Sequence, residues 1–263
     1  MKRSITLVVL SVLLYACTPS ANLDKSDDSG QKPSTPDVPV ELSDAICEDF
    51  SGQLSSLLEC NIRTIREDFR YFMSFPSISE RDSRVMLLRI DPTDAAGIKR
   101  GPAISSVDKC SYGSYSARFR VPNTLKAQPD LGVCASIGLY DGDNAIIMEV
   151  RLSDPYAIYL LYADKEEIVR PASFNANSKF YEYGIDLYKD KIIWWLRSSK
   201  NMAKMVVKES DNSSFATPLD FSFNYYYSKL KPVENRPNSI QAPLYAYELE
   251  LDEMNYTPFD DEK

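Results

Sequence analysis

The chain contains no histidine. That absence removes Ser-His-Asp and Cys-His catalysis and any zinc site built on imidazole. Proton transfer, where there is any, falls to Asp, Glu, Tyr, Lys or Cys. An excess of basic charge is also missing: 30 Lys and Arg stand against 38 Asp and Glu, a net charge of −8. No basic patch is evident, so nothing points to a nucleic-acid partner. Glycine and tryptophan are scarce, at 9 and 2 residues, whereas there are 17 Tyr and 11 Phe. That balance suits a β-sheet protein, either with sugar-stacking surfaces or simply because Tyr and Phe favour strands. A chain of 263 residues accommodates one large all-β domain with short tails, or two small domains.

Apolar residues run together at the amino terminus. Lys2-Arg3 is followed by an apolar stretch from Ile5 to Tyr15, which has signal-peptide length and is too short for a convincing membrane span. It closes on Leu14-Tyr15-Ala16-Cys17, which resembles the lipobox of bacterial lipoproteins, with Tyr15 the loosest fit. The resemblance implies cleavage before Cys17, acylation of that cysteine, and a lipid-anchored protein of the bacterial outer membrane on its periplasmic or surface side. Residues 17–44 are rich in Ser, Pro, Asp and Lys and read as a flexible tether. Asp24, Asp27 and Asp28 resemble the surface-export signals of Bacteroidetes lipoproteins; an acidic run is equally a solvated linker. The expected division is a signal peptide at 1–16, the tether at 17–44, a β-sandwich domain at 45–258 and an acidic tail at 259–263.

Four further cysteines, Cys47, Cys60, Cys110 and Cys134, suggest two disulfides in an exported protein, with three possible connectivities. The short loop between Cys47 and Cys60 favours that pair together with Cys110–Cys134; buried free thiols are the alternative.

From about Ala45 the chain reads as many short strands. Strand-like segments are 84–90, 112–121, 133–140, 145–152, 156–162, 181–187, 191–196, 219–227 and 244–251. The second alternates, with Tyr115, Ala117, Phe119 and Val121 on one face and Ser114, Ser116, Arg118 and Arg120 on the other. One ambiguous helix is expected near Ser55–Phe75. Strands at this density, with turn residues between them, argue a sandwich or barrel. No internal repeat is visible.

Several segments, in order, resemble glycoside hydrolase family 16, the laminarinase and lichenase group. Tyr112-Gly-Ser-Tyr-Ser-Ala-Arg-Phe-Arg-Val-Pro122 is similar to that family's YGxYEARxKxP strand, and residues 132–140 to GxxxAFxLY. Residues 174–187 resemble FHxYxxxW, Lys191–Trp195 resembles IxWYVDG, residues 219–226 resemble MxxNLW, and residues 243–251 the last strand. The resemblance implies an all-β, concanavalin A-like jelly roll of two antiparallel sheets with a ligand groove, and a polysaccharide or oligosaccharide partner. The family's catalytic strand reads DEIDIE, with nucleophile, assisting acid and acid/base on one face. The matching residues are Ala145, Ile147 and Glu149, so two of the three acids are gone.

The first expectation is therefore a lipid-anchored, non-catalytic carbohydrate-binding protein that captures polysaccharide and touches the membrane only through its anchor. A divergent glycosidase using Glu149 as acid/base with Asp143 as a relocated second acid is the enzymatic alternative. A structural or adhesive envelope protein using the sandwich as scaffold is the third. The expected ligand-binding set is Ser116, Arg118, Glu149, Arg151, Tyr181, Trp194 and Tyr226; Glu149 is expected to pair with Arg118 or Arg151, Arg118 being the better partner if both face the groove. No cofactor is expected; the turn Asp141-Gly-Asp143-Asn144 offers carboxylates to calcium, but not a full ligand set.

Overall fold

The computed structural model describes residues 41–259 except for residue 43 and the segments 51–53, 63–70, 79–83, 91–101, 142–143, 164 and 228–240. The expected signal peptide, Cys17 with its expected acylation, nearly all of the expected tether, Asp143 and the acidic tail beyond Phe259 lie outside the described residues.

Strands are numbered in chain order: β1 (Glu41–Leu42), β2 (Ile46–Glu48), β3 (Leu58–Ile62), β4 (Tyr71–Ile78), β5 (Arg84–Ile90) and β6 (Pro102–Ser106). Next come β7 (Lys109–Cys110), β8 (Gly113–Arg120), β9 (Val133–Asp141), β10 (Asn144–Arg151), β11 (Asp154–Tyr162) and β12 (Lys165–Val169). The last are β13 (Tyr181–Leu187), β14 (Lys191–Arg197), β15 (Met205–Asp211), β16 (Asp220–Tyr227) and β17 (Tyr247–Pro258). One sheet runs β12-β11-β10-β9-β16-β6-β3, and the other runs β15-β14-β13-β8-β17-β5-β4 with β2 added beside β17. The pairings within both sheets are antiparallel.

Period-two alternation builds the core. Val133, Ala135, Ile137 and Leu139 of β9, Ile146, Met148 and Val150 of β10, and Tyr115, Ala117 and Phe119 of β8 all point between the sheets. Aromatic pairs join the layers: Tyr115 meets Phe221 edge-on at 5.2 Å, and Phe119 meets Phe223 at 5.1 Å. Such pairs add about 0.5–1.5 kcal/mol each beyond the area they bury. Much of the tyrosine excess is spent here, since Tyr115, Tyr183, Tyr225, Tyr227 and Tyr256 are all buried in the core.

The helix expected near Ser55–Phe75 is replaced by β3 and β4. Leu54, Leu57 and Leu58 have helical spacing, but Leu58-Glu-Cys-Asn-Ile62 alternates, and pairing with β6 settles the conformation. The last strand starts at Tyr247 rather than Leu244, whose side chain is exposed.

The expected disulfides are not formed: Cys47, Cys110 and Cys134 are thiols. Cys110 points into the core. Cys134 lies on the other side of β9 from Val133 and Ala135, so the two sulfurs sit on opposite faces of a sheet. Cys47 is on β2 of the eight-stranded sheet, and Cys60 is on β3 of the seven-stranded one.

Candidate functional site

With Ile146, Met148 and Val150 committed to the core, the alternate residues of β10 must face outward from the seven-stranded sheet. Those are Ala145, Ile147, Glu149 and Arg151. Register then lays out the face in rows across the strands. One row reads Tyr159, Glu149, Ser136, Asn224 and Ala103. The next reads Glu166, Leu161, Ile147, Gly138, Ser222 and Ser105. Asp220, Tyr140 and Ala145 form a third, and Tyr226 sits opposite Cys134, which sits opposite Arg151.

Glu149 is 0% exposed. Its Oε1 accepts from Arg151 Nε at 2.9 Å, and its Oε2 accepts from the Tyr226 hydroxyl. Arg151 is itself buried, donates from its second terminal nitrogen to Glu166, and lies 3.6 Å above the Tyr159 ring. Tyr159 in turn donates to Asp154 at 2.8 Å, and Arg170 closes the chain on Asp154 at 2.9 Å. Burial alone would lower the Arg151 pKa, but the Glu149 and Glu166 carboxylates outweigh it and raise it above its ordinary value. Burial first, then the Glu149 charge, pushes the Tyr226 hydroxyl well above the usual tyrosine range, so it stays a donor.

Beside this locked network the face is small and polar. Tyr140 folds its ring over Gly138: a Cβ there would stand 2.6 Å from the tyrosine ring. Asn224 Nδ2 holds the Tyr140 hydroxyl at 3.1 Å, and Ser105 bonds Ser222 at 3.1 Å. Ser136 Oγ, between Glu149 and Asn224, is buried and makes no hydrogen bond among the described residues. Ala145, Ile147, Tyr140, Asn224 and Tyr226 remain partly exposed, so they are the groups a molecule on this face would meet.

The structure brings together three of the expected site residues, Glu149, Arg151 and Tyr226, and places the other four elsewhere. Ser116 and Arg118 lie on the outward face of the eight-stranded sheet, because Tyr115, Ala117 and Phe119 take the core side of β8. Arg118 pairs with Asp252, the bulged residue of β17, at 2.8 Å rather than with Glu149. Ser116 donates to Glu182 at 3.0 Å. Tyr181 and Trp194 are buried in the core; the other tryptophan, Trp195, faces outward beside Asp186 at 2.7 Å. Tyr140, Ser136, Asn224 and Glu166 were missed, although the alternation of Cys134, Ser136, Gly138 and Tyr140 against an apolar face was a usable signal. No group of three or more Asp, Glu, Cys or His among the described residues is placed to hold a metal.

No protein-family model and no curated protein matches the chain. Solved structures do. A native glycosidic hydrolase aligns with 84% of this chain and 99% of its own, at a TM-score of 0.61 and 16% identity. The fold is that of the family 16 glycoside hydrolases. A lichenase derived from a mouse hindgut metagenome shares it over 82% of this chain and 99% of its own (TM-score 0.57, 16% identity). So does a Bacteroides ovatus mixed-linkage glucan family 16 protein in complex with a G4G4G3G product, over 81% and 99% (TM-score 0.54, 11% identity). At such identities the family 16 likeness establishes the two-sheet jelly roll and nothing finer.

Proposed function

We propose that this chain binds a glycan on the outward face of its seven-stranded sheet and does not cleave it. The observation that carries the reading is the state of β10. Cleavage with retention needs two carboxyl groups about 5–5.5 Å apart, and with inversion about 6.5–9.5 Å apart with water between. Ala145 and Ile147 have no carboxyl group. Glu149, the remaining acid, is wholly buried, and both its oxygens already accept hydrogen bonds from Arg151 and Tyr226. It serves as an anchor for Tyr226 rather than as a proton donor to a leaving group. Binding is supported by the rest of the face: two partly exposed tyrosines, Tyr140 and Tyr226, offer surfaces for sugar C–H faces, and Asn224 and the unsatisfied Ser136 hydroxyl offer polar partners. Solved relatives in fold hold a glucan product in one case and NAG in another.

A polysaccharide array followed by calorimetry should show binding to at least one glycan with no release of reducing ends. Failure to bind any β-glucan, galactan or host glycan would sink the reading. A second reading, a divergent glycosidase, draws on one observation: Glu166 shares the Arg151 guanidinium with Glu149, bringing a second carboxylate near. It requires reducing-sugar release that Glu149→Gln abolishes. Within the same proposal, the lipobox-like Ala16-Cys17 would tether the domain to the cell envelope. Cys17→Ala is expected to move the protein from the membrane fraction to the soluble fraction; retention in the membrane would refute the anchor.

A further inference from the structure

The end strands of the two sheets, β12 and β15, come together at one edge of the sandwich. Lys208 on β15 bonds Glu167 on β12 at 2.9 Å, and Ser210 Oγ donates to the Tyr162 hydroxyl at 3.0 Å. Between the β11–β12 hairpin and the segment after β15 lies a cavity of about 340 Å³. Its lining is mainly polar; Ile192 and Phe215 lie buried beneath it, and the partly exposed ring of Tyr162, which leans on Trp194 at 5.0 Å, supplies the apolar surface. Its rim is polar: the Asp211 carboxylate, the Lys165 ammonium and the hydroxyls of Ser210, Ser213 and Ser214. Neither Lys165 nor Asp211 makes an ion pair among the described residues, so both are available to a ligand.

The walls are held in place before anything binds. Asn212 donates through Nδ2 to the carbonyls of Tyr188 and Phe215 at 2.9 and 3.0 Å, and its Oδ1 accepts from the Phe215 amide at 3.0 Å. Its own amide donates to the Asp190 carbonyl at 2.8 Å. Those bonds fix the turn that presents Ser213 and Ser214. On the facing wall Ala163 holds φ at 46°, a conformation that costs a residue with a Cβ roughly 1–2 kcal/mol. A preformed site loses less ordering entropy on binding.

We propose that this edge cavity is a carbohydrate site taking a single pyranose unit, distinct from the outward face of the seven-stranded sheet. A pyranose has a periphery of hydroxyls that both donate and accept, which matches this mainly polar lining, and a small C–H patch that can rest on the Tyr162 ring. Asp211 accepts from neighbouring hydroxyls, Lys165 donates, and the serines do either. The volume is at the low end of the roughly 300–1,000 Å³ typical of small-molecule sites, which suits one ring rather than a chain. The cavity's own chemistry suits a sugar whether or not the β10 face binds glycan.

The test is saturation-transfer NMR and calorimetry on the full protein. The probes are glucose, galactose, mannose and N-acetylglucosamine, with glycine as a zwitterion that could also satisfy Lys165 and Asp211. At least one sugar should bind, and Asp211→Ala and Lys165→Ala should each weaken it at least tenfold. Asp211→Ala should leave polysaccharide binding unchanged. Both substituted side chains are exposed, so the variants should fold, which circular dichroism checks. No sugar binding, binding of glycine instead, or sugar binding insensitive to Asp211→Ala overturns the site. Sugar binding that depends on Asp211, without any polysaccharide binding, would uphold this site while removing the reading of the β10 face.

Discussion

Arg151→Met should destabilise the domain by about 3–5 kcal/mol, the usual result of leaving a buried charge unpaired. Glu149 is 0% exposed, and Arg151 supplies its counter-charge from the same face of β10. The methionine stem fills most of the arginine volume, so the loss reports charge rather than a cavity. The double variant Glu149→Met, Arg151→Met should recover most of the loss, because replacing both members of a buried pair by apolar groups is far cheaper than stranding one. Urea midpoints at constant m-value give the comparison. Equal and additive losses in the single and double variants would show that Glu149 is not held by this pair. The result also bears on function, since a carboxylate that the fold depends on for stability is a poor general acid.

Two glycines in equivalent-looking positions should respond in opposite ways. In Gly138→Ala the new methyl meets only the far end of the Tyr140 side chain. That ring is partly exposed and can swing away, so stability should fall by less than about 1 kcal/mol. The aromatic surface over the sheet would be displaced, and glycan affinity should drop at least tenfold, about 1.4 kcal/mol. In Gly184→Ala the methyl runs into the Trp195 indole, which is buried and tied to Asp186. That ring has nowhere to go, so about 1–3 kcal/mol of stability should be lost while affinity is kept in the protein that folds. Paired denaturation and calorimetry curves read both effects. Unchanged binding in Gly138→Ala would remove Tyr140 from the proposed surface.

Long strands with a clean two-residue period were legible in the sequence. β8, β9, β10, β13, β14 and β16 came out within a residue or two, because each buries a continuous apolar face on the opposite sheet. Of the strands that escaped, which include the short β1, β2, β6 and β7 and the β3 and β4 expected as helix, β12 and β15 are end strands of their sheets. Lys165-Glu-Glu-Ile-Val169 and Met205-Val-Val-Lys-Glu-Ser-Asp211 carry the charge that protects exposed edges, and that charge hides the strand signal. The edge cavity, built on the ends of these same elements, was invisible for the same reason.

The sequence by itself determined which side chains share a face, because alternation along a strand is a local property. It placed Ala145, Ile147, Glu149 and Arg151 together, set Trp194 against Trp195, and through ordered resemblance to family 16 named the jelly roll. It could not determine which face of which sheet a residue joins. Ser116 and Arg118 alternate as expected yet point out of the other sheet, away from Glu149. Tyr226 reaches Glu149 only because β16 pairs with β9, whose register partners lie 80 to 94 residues away in the chain. Glu166 meets Arg151 only because β11 turns back into β12. Strand order and register are long-range pairings with no local signature, and they added Tyr226 to the local Arg151 contact, leaving Glu149 a buried carboxylate engaged at both oxygens.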